Sequence, residues 1–202
     1  MKKILLYLIL AFSTSVRAQA ATVAEVENFA KNIADQLVVE VMQAKDSVAQ
    51  KRQKFESIFV HDADMDMIVN FVLGTARRQA TPEQIAEFKK TFTDNFVLTW
   101  ADRFTNYNGE AVIFTNVRQD KKEFWVTSEI KLPGSDKPIS LLWRIREKEG
   151  RLRVVDLVAE GVSMLQNYRT EYAAVLHQND NSIDALIQKL QDKNDSLRKS
   201  TK

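Results

Sequence analysis

Apolar positions recur every three to four residues from about 22 to 107, every second residue from about 110 to 159, and every three to four again from 163. Those periods predict helices, then strands, then helices. Val23, Val26, Ala30, Ile33, Leu37, Val41, Ala44 and Val48 trace one amphipathic helix opened by the capping box Thr22-x-x-Glu25, with a break near Asp46-Ser47. Ser47-x-x-Gln50 starts a second, carrying Phe55, Ile58 and Phe59. Asp64 caps a third over Met65 to Leu73, which Gly74 ends. Thr81-Pro82-Glu83-Gln84 opens a fourth, whose Ile85, Phe88, Phe92, Phe96 and Trp100 share one stripe.

After a turn at Asn108-Gly109, four segments rich in Val, Ile, Phe, Trp and Thr follow: Glu110 to Arg118, Glu123 to Lys131, Ile139 to Arg146 and Leu152 to Ala159. Asp120-Lys121, Pro133-Gly134-Ser135-Asp136 and Glu149-Gly150 separate them, which predicts a four-stranded antiparallel meander. Alternation puts Phe124, Val126, Ser128 and Ile130 on one face with Ile139, Leu141, Trp143 and Ile145, and Arg144 and Arg146 on the other. Helix resumes from Ser163 to His177, and Ser182 caps a last one bearing Ile183, Leu186, Ile187 and Leu190. The polar end, Gln191 to Lys202, is expected to fray. The fold class is therefore α+β in one domain over 21–202, with a helical part at about 22–107, a sheet at about 110–159 and C-terminal helices at about 163–196.

The first twenty residues change the picture. Met1-Lys2-Lys3 is a positive start, Ile4 to Phe12 an apolar run, and Ala18-Gln19-Ala20 a small-x-small cleavage pattern, so residues 1–20 read as a signal peptide removed after Ala20. Nine apolar residues fall far short of the roughly 20 that span a bilayer. Removal takes Lys2, Lys3 and Arg17 and no acid, moving the formal charge from +2 to −1. That balance argues against nucleic acid as partner, where concentrated positive charge drives binding.

With 45% hydrophobic and 28% charged residues the chain is ordinary globular material. Absence of cysteine excludes disulfides, thiolate metal sites and a cysteine nucleophile; two histidines, His61 and His177, leave little for zinc. Asp62-Ala63-Asp64-Met65-Asp66 imitates a calcium loop, yet Met67 and Leu73 stand where glycine and a bidentate acid belong, so helix capping is the better reading. Gly161-Val162-Ser163 imitates a nucleophile elbow, but Leu165 replaces its second glycine and Ser163 reads as an N-cap. Asp156 and Glu160 are paired acids better read as structure than as acid and base, and Arg77-Arg78 and the arginines from 144 to 153 as solvated faces.

Two blocks carry a resemblance. Leu73-Gly74-x-x-Arg77-Arg78-x-Ala80-Thr81-Pro82-Glu83-Gln84-x-x-x-Phe88-x-x-x-Phe92 and Val154-Val155-Asp156-Leu157-Val158-Ala159-Glu160-Gly161-Val162-Ser163-Met164, followed by Tyr168-Arg169-x-x-Tyr172, resemble the MlaC or toluene-tolerance family over roughly 22–190. Val126-Thr127-Ser128-Glu129-Ile130 and Asp184-Ala185-Leu186-Ile187 also resemble its hopanoid-biosynthesis-associated branch. The resemblance implies helices on a curved sheet enclosing an apolar cavity for acyl chains. It further implies a periplasmic phospholipid carrier moving between an outer-membrane lipoprotein complex and an inner-membrane ABC transporter with an MCE-domain protein. It brings no catalytic residue and no cofactor.

Side-chain size then favours Phe92, Phe96, Val126, Ile130, Leu141, Trp143 and Ile145 as the ligand-binding residues, between the fourth helix and the sheet. Asp156, Ser163 and Arg169 are expected to hold strand to helix, with Arg169 reaching back to the Asp156 carboxylate. Three rivals stand beside this: a carrier of another apolar lipid such as a hopanoid, an enzyme on a related cone-shaped sheet using Asp156 and Tyr168, and an adaptor with a solid core.

Overall fold

A computed structural model describes residues 21–101, 111–131 and 137–200. The expected signal peptide and cleavage site, the expected Asn108-Gly109 turn and the expected Pro133 to Asp136 turn lie outside the described residues.

Helix α1, Val23–Gln36, starts at Thr22 with both halves of the capping box made, and continues as a π-helical stretch over Leu37–Met42. Helix α2, Val48–Asp62, starts at Ser47 with a second complete box to Gln50. Helix α3, Met65–Leu73, is capped by Asp64, whose carboxylate accepts the Met67 N–H at 3.2 Å. The same carboxylate is buried and takes Arg146 at 2.7 Å and Lys148 at 3.0 Å, tying the α2–α3 junction to the sheet. This accounts for Asp64 as capping and pairing rather than metal ligation. Gly74 ends α3 at φ +57, and a side chain there would press on the Arg169 guanidinium at 3.3 Å. A short 3₁₀ turn, Gly74–Arg78, leads to α4, Pro82–Ala101.

The sheet runs in sequence order, every neighbour antiparallel: β1 Val112–Asp120, β2 Glu123–Ile130, β3 Ile139–Lys148, β4 Arg151–Ala159 and a two-residue β5, Val162–Ser163. Four strands match the expected meander. The fifth is too short to show any period, and it closes the Glu160-Gly161 turn, where both residues take positive φ. Register places Val126 between Val117 and Trp143, and Trp143 opposite Leu157, so the predicted alternation holds across the sheet.

Helices α5, Met164–Gln178, and α6, Ile183–Ser200, complete the fold. The expected fraying from Gln191 is overturned: α6 continues to Ser200, with Leu190 and Asn194 buried. Asn194 accepts from Asn95 at 2.7 Å and donates to the Thr91 carbonyl at 3.1 Å and to Asp94 at 2.9 Å, while Arg198 donates to Asp94. A polar ladder on α4 therefore holds a segment whose composition looked like a free end.

Two apolar clusters form. One is helical, built from α3, α4, α5 and α6 around Phe88, Phe92, Tyr168 and Tyr172. The other lies between the sheet and α1, α2 and α4, around Val26, Ala30, Phe55, Phe124, Val126, Trp143 and Ile145. Phe96 packs against both.

Candidate functional site

Alternation fixes which side chains share a face, and the helices decide which face is covered. Phe124, Val126, Ser128, Trp143 and Ile145 are buried under α1, α2 and α4. Arg144 points the other way, pairing with Glu123 at 2.7 and 2.8 Å and lying over Trp125 at 5.6 Å; its hydrogen bond to Glu123 holds the guanidinium pKa above its ordinary value. The covered face is thus the one that side-chain size singled out.

Of the seven expected lining residues, Val126, Trp143 and Ile145 come together in the sheet cluster, and Phe96 reaches it from α4. Ile130 and Leu141 lie toward the far end of the same strands and are half-buried. Phe92 stands elsewhere: it meets Tyr168 edge-on at 5.4 Å and Tyr172 at 6.2 Å inside the helical cluster. Residues Phe88 to Trp100 span about 18 Å of helix, and one stripe serves both clusters, with Phe88 and Phe92 in the helical one and Trp100 at the sheet.

The aromatic roof over the sheet, Phe55, Phe96 and Trp100, includes residues the periodicity did not assign to it, and Phe59 of the helical cluster abuts it. Phe96 stacks on Phe59 at 4.1 Å and on Phe55 at 5.9 Å, and Trp100 follows at 6.2 Å. Trp100 donates its indole N–H to the Tyr168 hydroxyl at 3.0 Å, which ties this roof to α5. Both aromatics of α2 were visible on one stripe; their partner on α4 was not, since contacts between helices are set by packing angle. Polar groups within the covered face are few: the Trp143 indole donates to Ser128 Oγ at 2.9 Å, and Ser128 is fully buried.

In the block from Asp156 to Arg169, hydrogen bonds join the end of β4 to the start of α5. Asp156 accepts the Ser163 hydroxyl at 2.5 Å, the Leu165 N–H at 3.1 Å and the Leu157 N–H at 2.9 Å, and Ser163 Oγ in turn caps α5 by accepting the Gln166 N–H at 3.0 Å. Arg169 does not reach Asp156. It donates to the Phe71 carbonyl at 3.2 Å and lies over the Phe71 ring at 4.9 Å, because the short β5 hairpin hands Asp156 its donors first. Asp156 is thereby spent, as the enzyme reading required it not to be. Among the described residues no cluster of three His, Asp or Glu is placed to hold a metal ion.

At the hairpin end of the sheet a cleft of about 570 Å³ opens between the start of α1, the end of α2 and the β3–β4 turn. Phe29 and Leu152 line it and also pack on the sheet cluster.

This architecture has known counterparts. The sequence profile of the MlaC protein family matches residues 27–192. The chain belongs to the MlaC family. The MlaC binding protein of an intermembrane phospholipid transport system from Haemophilus influenzae is 26% identical over 166 residues, covering 78% of this chain and 77% of its own. The phospholipid-binding protein of Ralstonia solanacearum, solved with a phospholipid, superposes with a TM-score of 0.77 at 21% identity, covering 85% of this chain and 97% of that one. At that identity the likeness establishes the fold. As a member of the MlaC family the chain is a lipid-binding carrier and not an enzyme.

Proposed function

We propose that this MlaC-family chain is a periplasmic carrier of glycerophospholipid, exported by a leader cleaved after Ala20, holding the acyl chains between the covered sheet face and helices α1, α2 and α4. The observation that carries the reading is the apolar sheet face of Val126, Trp143 and Ile145, roofed by helices and by Phe55 and Phe96 rather than by a second sheet. Phe92 has no part in this lining; Ile130 and Leu141 extend it along the strands. Those side chains are packed, so loading moves helices off the sheet.

The physical need is plain. Each methylene exposed to water costs about 0.8 kcal/mol, so a lipid with roughly thirty chain carbons faces a barrier on the order of 20 kcal/mol to cross an aqueous gap unaided. A carrier lowers it by burying both tails. The names of the Haemophilus and Ralstonia relatives support phospholipid as the cargo. In this reading the protein moves between an outer-membrane lipoprotein complex and an inner-membrane ABC transporter with an MCE-domain protein, as the family resemblance implies. The deciding experiment is organic extraction and mass spectrometry of the exported protein purified without detergent, alongside uptake from labelled vesicles. Co-purified phospholipid and uptake are expected; finding neither overturns the proposal.

A further inference from the structure

The helix-covered sheet face holds a polar pair in apolar surroundings. Ser128 is fully buried on β2, opposite Phe114 on β1 and Leu141 on β3, and the Trp143 ring lies 6.2 Å from that of Phe114. The Trp143 indole donates to Ser128 Oγ at 2.9 Å. An indole nitrogen is a donor only, so the direction of this bond is fixed: Trp143 gives and Ser128 receives. The serine hydroxyl keeps its own hydrogen, for which no acceptor stands among the described residues. A buried Trp143 N–H needs an acceptor, and that accounts for an oxygen at position 128. It leaves the hydroxyl hydrogen unaccounted for, in an interior where unsatisfied donors are costly and rare.

Ser128 stands two residues beyond Val126 on β2, on the same face as Val126, Trp143 and Ile145. A ligand lying on that face meets a hydroxyl already polarised by the indole, in a low dielectric where a hydrogen bond is stronger than in water. The group that suits it accepts one hydrogen bond, brings no donor of its own and carries no charge to desolvate, which describes a carbonyl oxygen. We propose that Ser128, held by Trp143, donates to a carbonyl oxygen of the bound lipid and so selects lipids that carry one in their buried part. The proposal rests on the carrier reading and adds to it a specificity-determining residue. Two sources share this chemistry: the ester carbonyl that joins a chain to glycerol, and a ketone partway along a chain.

The test is competitive uptake by the exported protein from phosphatidylcholine vesicles doped with equal amounts of two tail-labelled phosphatidylcholines, so that each protein supplies its own reference. One arm sets the diacyl lipid against its dialkyl ether counterpart. The other sets a dialkyl lipid bearing a mid-chain ketone against the plain dialkyl lipid. Expected in the wild type is a preference of at least about fivefold for the carbonyl lipid in at least one arm, and the arm names the source. In Ser128→Ala that preference disappears. This substitution strands the Trp143 N–H, so the Ser128→Ala/Trp143→Phe variant, which removes both polar groups, is measured beside it with thermal melts of each, and the same loss is expected. An isotope-labelled lipid carbonyl bound to the wild type should absorb at lower infrared frequency than the same lipid bound to the double variant. No preference in either arm of the wild type, a preference that survives in the double variant, or equal infrared frequencies overturns the role of Ser128 and leaves the carrier reading intact. If the wild type takes up no lipid at all, the carrier reading fails and this site with it.

Discussion

Asp156 in β4 and Ser163 at the start of α5 share a 2.5 Å hydrogen bond, and through it one carboxylate organises a strand end, a hairpin and a helix cap. The Asp156 carboxylate also satisfies the Leu157 and Leu165 N–H groups, so its loss strands buried donors. Asp156→Ala is therefore expected to destabilise the protein by about 2–3 kcal/mol, and Ser163→Ala by about 1 kcal/mol through the lost cap. At roughly 2–4 °C per kcal/mol, thermal melts resolve both. Bound lipid, identified by extraction, should keep its composition in each variant; altered lipid at unchanged stability would make the block a functional site.

Much of this framework could be read locally. The caps at Thr22, Ser47, Asp64 and Thr81 are visible because each partner lies three residues away. The covered sheet face could be read because alternation has a period of two and arginines marked the opposite side. What escaped the sequence depends on partners far along the chain. Asn194 looks like a solvated residue until Asn95 is found 99 positions away, and Arg151 meets His61 from 90 positions away. Phe92 and Phe96 belong to one stripe by phase, but the stripe crosses from one core to another, and only the packing of α5 decides where.

Tyr172 supplies a test of the helical core. It is almost fully buried, its hydroxyl has no hydrogen-bond partner among the described residues, and burial pushes its ionisation well above the ordinary tyrosine range. Removing an unpaired buried hydroxyl while keeping the ring should stabilise the protein, by about 1 kcal/mol or more for Tyr172→Phe. The pH dependence follows from the raised folded value. The phenol is neutral in both states below the unfolded pKa of about 10, and above it only the unfolded chain ionises, so stability falls as pH rises past that point. Urea melts at neutral and strongly alkaline pH should show a smaller alkaline loss in Tyr172→Phe; an identical loss would assign the effect to other groups.

The C-terminal helix should behave as part of the core. Asn194→Ala removes the acceptor for Asn95 and the donor to the Thr91 carbonyl inside a buried contact between α4 and α6. A cost of about 1–3 kcal/mol is expected from the stranded partners. Hydrogen exchange should show protection of α6 amides beyond Gln191 that is lost in the variant. Fast exchange there in the wild type would restore the frayed end that composition suggested.

The residue after the expected cleavage site is tied to the sheet. Ala21 N lies 2.9 Å from a Glu147 carboxylate oxygen on β3. If the leader is cut after Ala20, this nitrogen becomes a charged amine facing a half-buried acid. Intact mass of the exported protein should begin at Ala21, and Glu147→Gln should lower its thermal midpoint by more than it lowers that of a form carrying an added N-terminal residue. Equal effects in both forms would mean that the charge on the amine contributes nothing.

Trp143 and Arg144 are neighbours on β3 that face opposite ways, which makes them the sharpest pair for testing where lipid sits. Trp143 is 6% exposed and lies in the cluster under α1, α2 and α4, whereas Arg144 is on the outer face with Glu123 and Trp125. A photo-crosslinking aromatic at Trp143 is close in size to the residue it replaces, so the core should tolerate it within about 1.5 kcal/mol. At Arg144 the same group costs only a surface ion pair, worth roughly 0–1 kcal/mol. Both variants should therefore fold, and melting curves verify that before irradiation. With labelled phospholipid loaded from vesicles, a covalent adduct is expected from position 143 and from Val126 beside it, and none from position 144 or from the exposed Lys131. Capture at 144 and not at 143, in two folded proteins that both take up lipid, would put the acyl chains on the outer face and overturn the assignment of the cavity to the helix-covered side.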